Sequence, residues 1–155
     1  MTKLFYLSEI VKFAIEKEKE SIALYKGLGD KASTKDMKDL FHQLMLEEEK
    51  HEDFYTRLLG ATPKEQSPGV TEDAEYEAYM QELIRASRSV ASLDTRKVTD
   101  MKIALDYAIA REKDSILFYV GLKNYLPAHD NKKIDTIIKE ESQHMAKLLL
   151  LKKHL

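Results

Sequence analysis

The chain has 155 residues, 43% hydrophobic and 34% charged, which suits one domain with a full core and is too short for two. A formal net charge of −2 leaves no basic footprint for nucleic acid, and with no cysteine any metal must be held by His, Asp or Glu. The longest apolar run, Leu148 to Leu151, is far short of a bilayer span, and Ser8, Glu9 and Lys12 break up any apolar leader. No membrane partner and a cytoplasmic location are therefore the default expectations.

Taken in chain order, the apolar periodicity predicts a first helix from about Ser8, its N-cap, to Asp30. Ser33-Thr34-Lys35-Asp36 resembles a capping box for a second helix that ends at Gly60. Pro63, Pro68 and Gly69 mark a loop, and Thr71 caps a shorter, more polar helix to about Arg88. This polar helix reads either as a cover over one side of the molecule or, through Tyr76, Tyr79 and Met80, as a contact with a second chain. A third long helix runs from about Thr99 to Tyr125 and is ended by Leu126-Pro127. A fourth runs from about Asp130 to the C-terminus.

The chain repeats itself. Residues 13–28, FAIEKEKESIALYKGL, align without gaps on residues 107–122, YAIAREKDSILFYVGL, with nine of sixteen positions identical. Glu47-Glu48-Glu49-Lys50-His51 likewise matches Glu140-Glu141-Ser142-Gln143-His144. The expectation is one all-α domain over residues 1–155: hairpin 8–60, crossover 61–98 and hairpin 99–155 packed face to face as a four-helix bundle. So long a connection lets the second and third long helices run parallel, and it permits an exchange of hairpins between two chains.

Each long helix carries residues at spacings of three and four that form a core seam, apolar at both ends and polar in the middle. The polar members are Glu18, Glu48 with His51, Glu112, and Glu141 with His144, and no seam Lys or Arg balances the four carboxylates. Buried carboxylates facing one another repel, and divalent cations at the centre reverse that balance. Residues three apart share a helix face, so Glu48 with His51 can offer an oxygen and a nitrogen to one metal, and Glu141 with His144 to another. Glu18 and Glu112 are left to complete or bridge the pair. The donor set accepts iron, manganese or zinc.

Glu18 with Tyr25, Glu48 with His51, Glu112 with Tyr119, and Glu141 with His144 carry a resemblance to the rubrerythrin-like members of the ferritin-like di-iron superfamily. The resemblance implies a ferritin-like bundle holding two iron ions that react with peroxide or dioxygen. It also implies that Tyr25 and Tyr119 hydrogen-bond ligand carboxylates. Full-length rubrerythrins carry a Cys-rich rubredoxin module, absent from this cysteine-free chain, so electrons would come from a separate donor protein such as a rubredoxin. The family's further Glu on the third helix is Ser115 here. A homodimer is expected, with peroxide or dioxygen as substrate. Iron oxidation and storage of the ferritin type, or a metal-dependent structural or sensor role, are the alternatives. Off the seam, Glu47, Glu49, Glu52 and Glu140 read as solvated helix charge, and His42, His129 and His154 as surface residues.

Overall fold

The computed structural model describes residues 7–62 and 74–155. Pro63, Pro68, Gly69 and the expected cap Thr71 lie outside the described residues. Five α-helices and two short 3-10 turns make up the fold, with no strand among the described residues. They are α1 (Leu7–Lys31), α2 (Lys35–Gly60), α3 (Ala74–Ser89), α4 (Met101–Leu122) and α5 (Ala128–Lys153); the turns are Thr95–Lys97 and Lys123–Tyr125. None of these helices is long and apolar enough to cross a membrane.

The ends follow local chemistry, with some shifts from the sequence reading. Ser8 lies inside α1 and is buried rather than capping it. The N-cap of α2 is Thr34, whose hydroxyl accepts from the Met37 amide at 3.2 Å, one residue past the Ser33 of the expected box. Asp100 caps α4 through the Lys102 amide. Pro127 starts α5 two residues earlier than expected, because its fixed φ of −60° leads directly into the first turn. The third long helix tightens after Leu122, and its last turn is 3-10.

Helix direction can be read from cross-helix partners. Glu18 meets Tyr119 and Tyr25 meets Glu112, so α1 and α4 are antiparallel. His51 meets Glu140 while His144 meets Glu47, so α2 and α5 are antiparallel as well. With α1–α2 a hairpin, α2 and α4 run parallel, as the long crossover allows. Two apolar clusters fill the bundle on either side of a polar middle layer. One contains Val11, Tyr55, Leu122, Ile134 and Ile137; the other contains Leu28, Phe41, Leu44, Leu105 and Leu148. Each such fully buried aliphatic side chain contributes about 1.5–3 kcal/mol, so the core can tolerate a costly polar layer.

The crossover lies on α1 and α4. Met80 and Ile84 bury the inner face of α3, which settles Met80 as packing and assigns α3 as a cover. Two glycines that are equivalent in the repeat make this close approach feasible. A Cβ on Gly121 would overlap Met80, and one on Gly27 would overlap Thr95.

Candidate metal centre

The polar layer consists of Glu18, Glu48, His51, Glu112, Glu141 and His144, every one essentially excluded from solvent. Their donor atoms fall into two groups. Glu18, Glu48, His51 and Glu141 form one, and Glu48, Glu112, Glu141 and His144 the other, with the atoms of each group within 4.8 Å of one another. Glu48 and Glu141 belong to both. Glu48 offers Oε2 to His51 Nδ1 at 3.0 Å and Oε1 to His144 Nδ1 at 3.3 Å. Glu141 offers Oε1 to His51 Nδ1 at 3.0 Å and Oε2 to His144 Nδ1 at 3.2 Å. Glu18 stands 3.7 Å from His51 Nδ1 and Glu112 stands 3.6 Å from His144 Nδ1, so these two complete the ends. The i, i+3 spacing on α2 and α5 brings this about by stacking each Glu and His on one face.

Both histidines turn Nδ1 inward and Nε2 outward. His51 Nε2 meets Glu140 Oε2 at 2.5 Å, and His144 Nε2 meets Glu47 Oε2. Glu47 and Glu140, read from the sequence as solvated charge, are therefore half-buried partners of the histidines. Each reaches the histidine of the opposite hairpin. A carboxylate that accepts the Nε2 proton fixes the tautomer whose Nδ1 lone pair is free for a metal. The signal was present in the sequence as Glu-Glu-x-x-His in both halves of the repeat. Glu49 and His42 remain exposed, as expected.

Tyr25 donates to Glu112 Oε1, and Tyr119 donates to Glu18 Oε1 at 2.5 Å. Burial, with the nearby carboxylates, pushes both phenols well above their ordinary value, so they remain protonated donors. Burial and the Glu18 and Glu141 charges push Glu48 well up. Burial and Glu141 bring Glu112 to about 8. Burial and Glu18 act the same way on Glu141, but Glu112, His144 and His51, which face it, hold it below its ordinary value. Burial disfavours charge on the histidines, yet the three carboxylates that face each Nδ1 raise both strongly.

A metal pair fits this donor set on one geometric observation. Glu18 Oε2, Glu112 Oε2, Glu141 Oε2 and His144 Nδ1 are buried without a hydrogen-bond partner. His144 Nδ1 has three carboxylates within 3.6 Å and hydrogen-bond geometry to none, an arrangement of donors aimed at a shared point rather than at one another.

The sequence reading left the carboxylates without a buried cation nearby. Lys17, next to Glu18, is in fact buried beneath α3, its amino group 3.3 Å from Ser87 Oγ, and burial together with Arg111 lowers it to about 8. The two-fold counterpart of Lys17 is Arg111, which pairs with Glu20 at 2.9 Å. Lys17 points away from the polar layer, so the four carboxylates keep their need for positive charge.

Tyr55 is a fully buried aromatic beside the polar layer. It stacks on Tyr119 with ring centroids 5.1 Å apart, and its buried hydroxyl has no hydrogen-bond partner. Tyr55→Phe is therefore expected to leave metal content unchanged and to raise stability by up to about 1 kcal/mol. Tyr119→Phe, which removes a donor from Glu18, should cost about 1–2 kcal/mol. Denaturant midpoints of the two variants check the contrast.

Two metal-capable carboxylate–histidine groups inside a bundle of duplicated helical hairpins define a ferritin-like bundle with a candidate metal centre. The family model described as Rubrerythrin matches residues 9–152, and the chain belongs to the rubrerythrin family. A crystal structure from Thermotoga maritima, of a protein described as ferritin-like and diiron-carboxylate, superposes with a TM-score of 0.70. The match covers 99% of this chain and 98% of that one at 23% identity, which places the fold. No curated protein matches the chain.

Proposed function

We propose that this protein is a di-iron oxidoreductase that reduces peroxide or dioxygen with electrons from a separate donor protein. The observation that carries the reading is the paired cluster, in which Glu48 and Glu141 each present one oxygen to each histidine while Oε2 of Glu18 and Oε2 of Glu112 stand unpartnered. Glu18, Glu48, His51 and Glu141 would hold one ion, and Glu48, Glu112, Glu141 and His144 the other. Once bound, the iron pair supplies the two electrons that a peroxide consumes.

The protein's own residues set the conditions for that exchange. Glu47 and Glu140 hold the histidine tautomers, so Nδ1 is presented without a search over ring orientations. Tyr25 and Tyr119 each occupy one oxygen of Glu112 and Glu18 and leave the other free. A carboxylate held at one oxygen can adjust the other as the charge in the site changes. Apolar clusters above and below exclude bulk water, and this keeps the reaction to small oxidants. Two protons are needed per peroxide reduced to water.

The direct test is anaerobic loading with ferrous iron followed by a stoichiometric addition of peroxide, with iron oxidation and peroxide loss both measured. The expected ratio is two ferrous ions oxidised per peroxide consumed. His51→Ala removes a coordinating nitrogen and should slow oxidation by more than the roughly 10–100-fold that losing an outer partner of a ligand costs. Full-rate oxidation in His51→Ala would overturn the proposal.

A further inference from the structure

The repeat puts a cation and a carboxylate at equivalent points of its two halves, and the two pairs differ. Arg111 of α4 reaches Glu20 of α1 at 2.9 Å, which closes the first pair. The counterparts of these residues are Lys17 of α1 and Asp114 of α4, and aspartate is one methylene shorter than glutamate. Among the described residues no carboxylate pairs with the Lys17 amino group. Its contacts are one hydrogen bond to Ser87 Oγ at 3.3 Å and the Phe13 ring, whose centroid is 5.5 Å away. Lys17 is only 2% exposed, so solvent reaches little of it. A buried ammonium with a single neutral hydrogen-bond partner is a costly arrangement that a counter-charge relieves.

Lys17, Ser87 and Asp114 all line one cavity beneath α3, of about 150 Å³. We propose that this cavity binds a small monocarboxylate with a short apolar chain, which supplies the charge that Asp114 is too short to deliver. This inference is independent of the di-iron reading. The carboxylate would accept from the Lys17 ammonium and from the Ser87 hydroxyl, whose own proton is left to donate when its oxygen accepts from Lys17. The chain would lie against Phe13, Leu83, Val90 and Phe118, the two phenyl rings meeting edge to face at 4.8 Å.

Size and charge narrow the ligand. A cavity of about 150 Å³ takes one benzene, and butyrate has the same number of heavy atoms. With one buried cation and mostly apolar walls, a single negative charge is matched and a second is not. Asp114 would oppose an anion, but it is exposed, where solvent screens its charge. Arg88, 5.2 Å from the centroid of the Phe13 ring, offsets it from the same side. Glu20 is already held by Arg111. A bound carboxylate would also tie α3 to α1, since Ser87 and Lys17 come from different elements.

Calorimetric titration of the intact chain with sodium butyrate, in its metal-loaded and metal-free forms, tests the proposal. Saturable binding is expected in both forms, with a dissociation constant of about 1 mM or below. Acetate, two methylenes shorter, should bind about tenfold more weakly. Butyramide, which keeps the shape and loses the charge, should also be weaker by at least about tenfold. Lys17→Met keeps the stem and removes the ammonium, and should weaken butyrate by at least about tenfold with helicity unchanged. Asp114→Glu restores the reach that Glu20 has, so it should close the ion pair and weaken butyrate to a similar degree. Because Asp114 is exposed, that variant decides the matter should Lys17→Met fail to fold. No saturable binding would overturn the proposal, as would equal affinity for acetate or butyramide. Binding confined to the metal-loaded chain would place the carboxylate on the ions and overturn it too. So would undiminished binding in Lys17→Met or Asp114→Glu.

Discussion

Glu48→Gln and Glu141→Gln are each expected to abolish binding of both metal ions, while Glu18→Gln and Glu112→Gln should each lose chiefly one. The expectation follows from the oxygens. Glu48 and Glu141 have one directed at each histidine, so either substitution removes a donor from both groups. Glu18 and Glu112 each lie near a single histidine. The amide keeps the volume and removes the charge, so cavity effects do not confuse the comparison. Glu47→Ala and Glu140→Ala should be milder, with affinity lowered roughly 10–100-fold through loss of histidine orientation. Elemental analysis after equilibration with ferrous iron separates the three classes. Equal metal content in Glu48→Gln and Glu18→Gln would contradict the shared position of Glu48.

The second large effect is the response of stability to metal and pH together. Ions bound only by the folded chain stabilise it by mass action, about 4 kcal/mol at a thousandfold excess over the dissociation constant. For a chain of this length that is on the order of 10 °C in melting temperature. The metal-free protein should respond to pH in a particular direction. Glu112 in the fold binds its proton up to about 8, and Glu48 is likewise raised, against 4.5 for an ordinary glutamate. An acid that holds its proton more tightly when folded contributes stability below the unfolded value and loses it as pH rises through the folded value. His51 and His144 are raised from 6.5, so their contribution falls in the same sense from that pH upward. Glu47, held below its ordinary value by His144, and Glu141, also lowered, act in the opposite sense, but only below pH 4.5. Metal-free stability should thus fall by a few kcal/mol between about pH 5 and about pH 8. Metal binding displaces these protons and strengthens over the same interval. The gap between loaded and metal-free melting temperatures should therefore widen as pH rises. Calorimetry across that range checks it, and a constant gap would contradict the account.

Helical spacing carried much of this into the sequence. A period of 3.6 brings residues three apart onto one face, so Glu48 with His51 and Glu141 with His144 could be placed in the core before any coordinates. What spacing could not show is where neighbouring elements lie. Glu47 and Glu140 sit one residue off the seam, at an angle that solvent usually claims, and only the approach of the other hairpin makes them histidine partners. Lys17 is buried because α3 happens to lie over it, and nothing in the pattern of α1 announces that cover. The sharing of Glu48 and Glu141 between the two groups was equally beyond reach, since it depends on the depth at which each side chain meets the bundle axis. Ser21 and Ser115, buried at equivalent places one turn after Glu18 and Glu112, also show the symmetry of the centre extending past its donors.

The crossed pairing of Glu47 with His144 and Glu140 with His51 bears on the descent of the chain. Each hairpin holds the steadying carboxylate for its twin's ring and lacks one for its own, so neither half contains a finished ion position. Every polar residue the centre uses from residues 7–62 has an identical counterpart in residues 101–155. A single ancestral hairpin would have acquired the whole centre at once by pairing with a copy of itself, and the covalent crossover then freed the two halves to diverge where symmetry no longer mattered. Tyr55 opposite Leu148 is one such divergence, and Glu9 opposite Ile103 another.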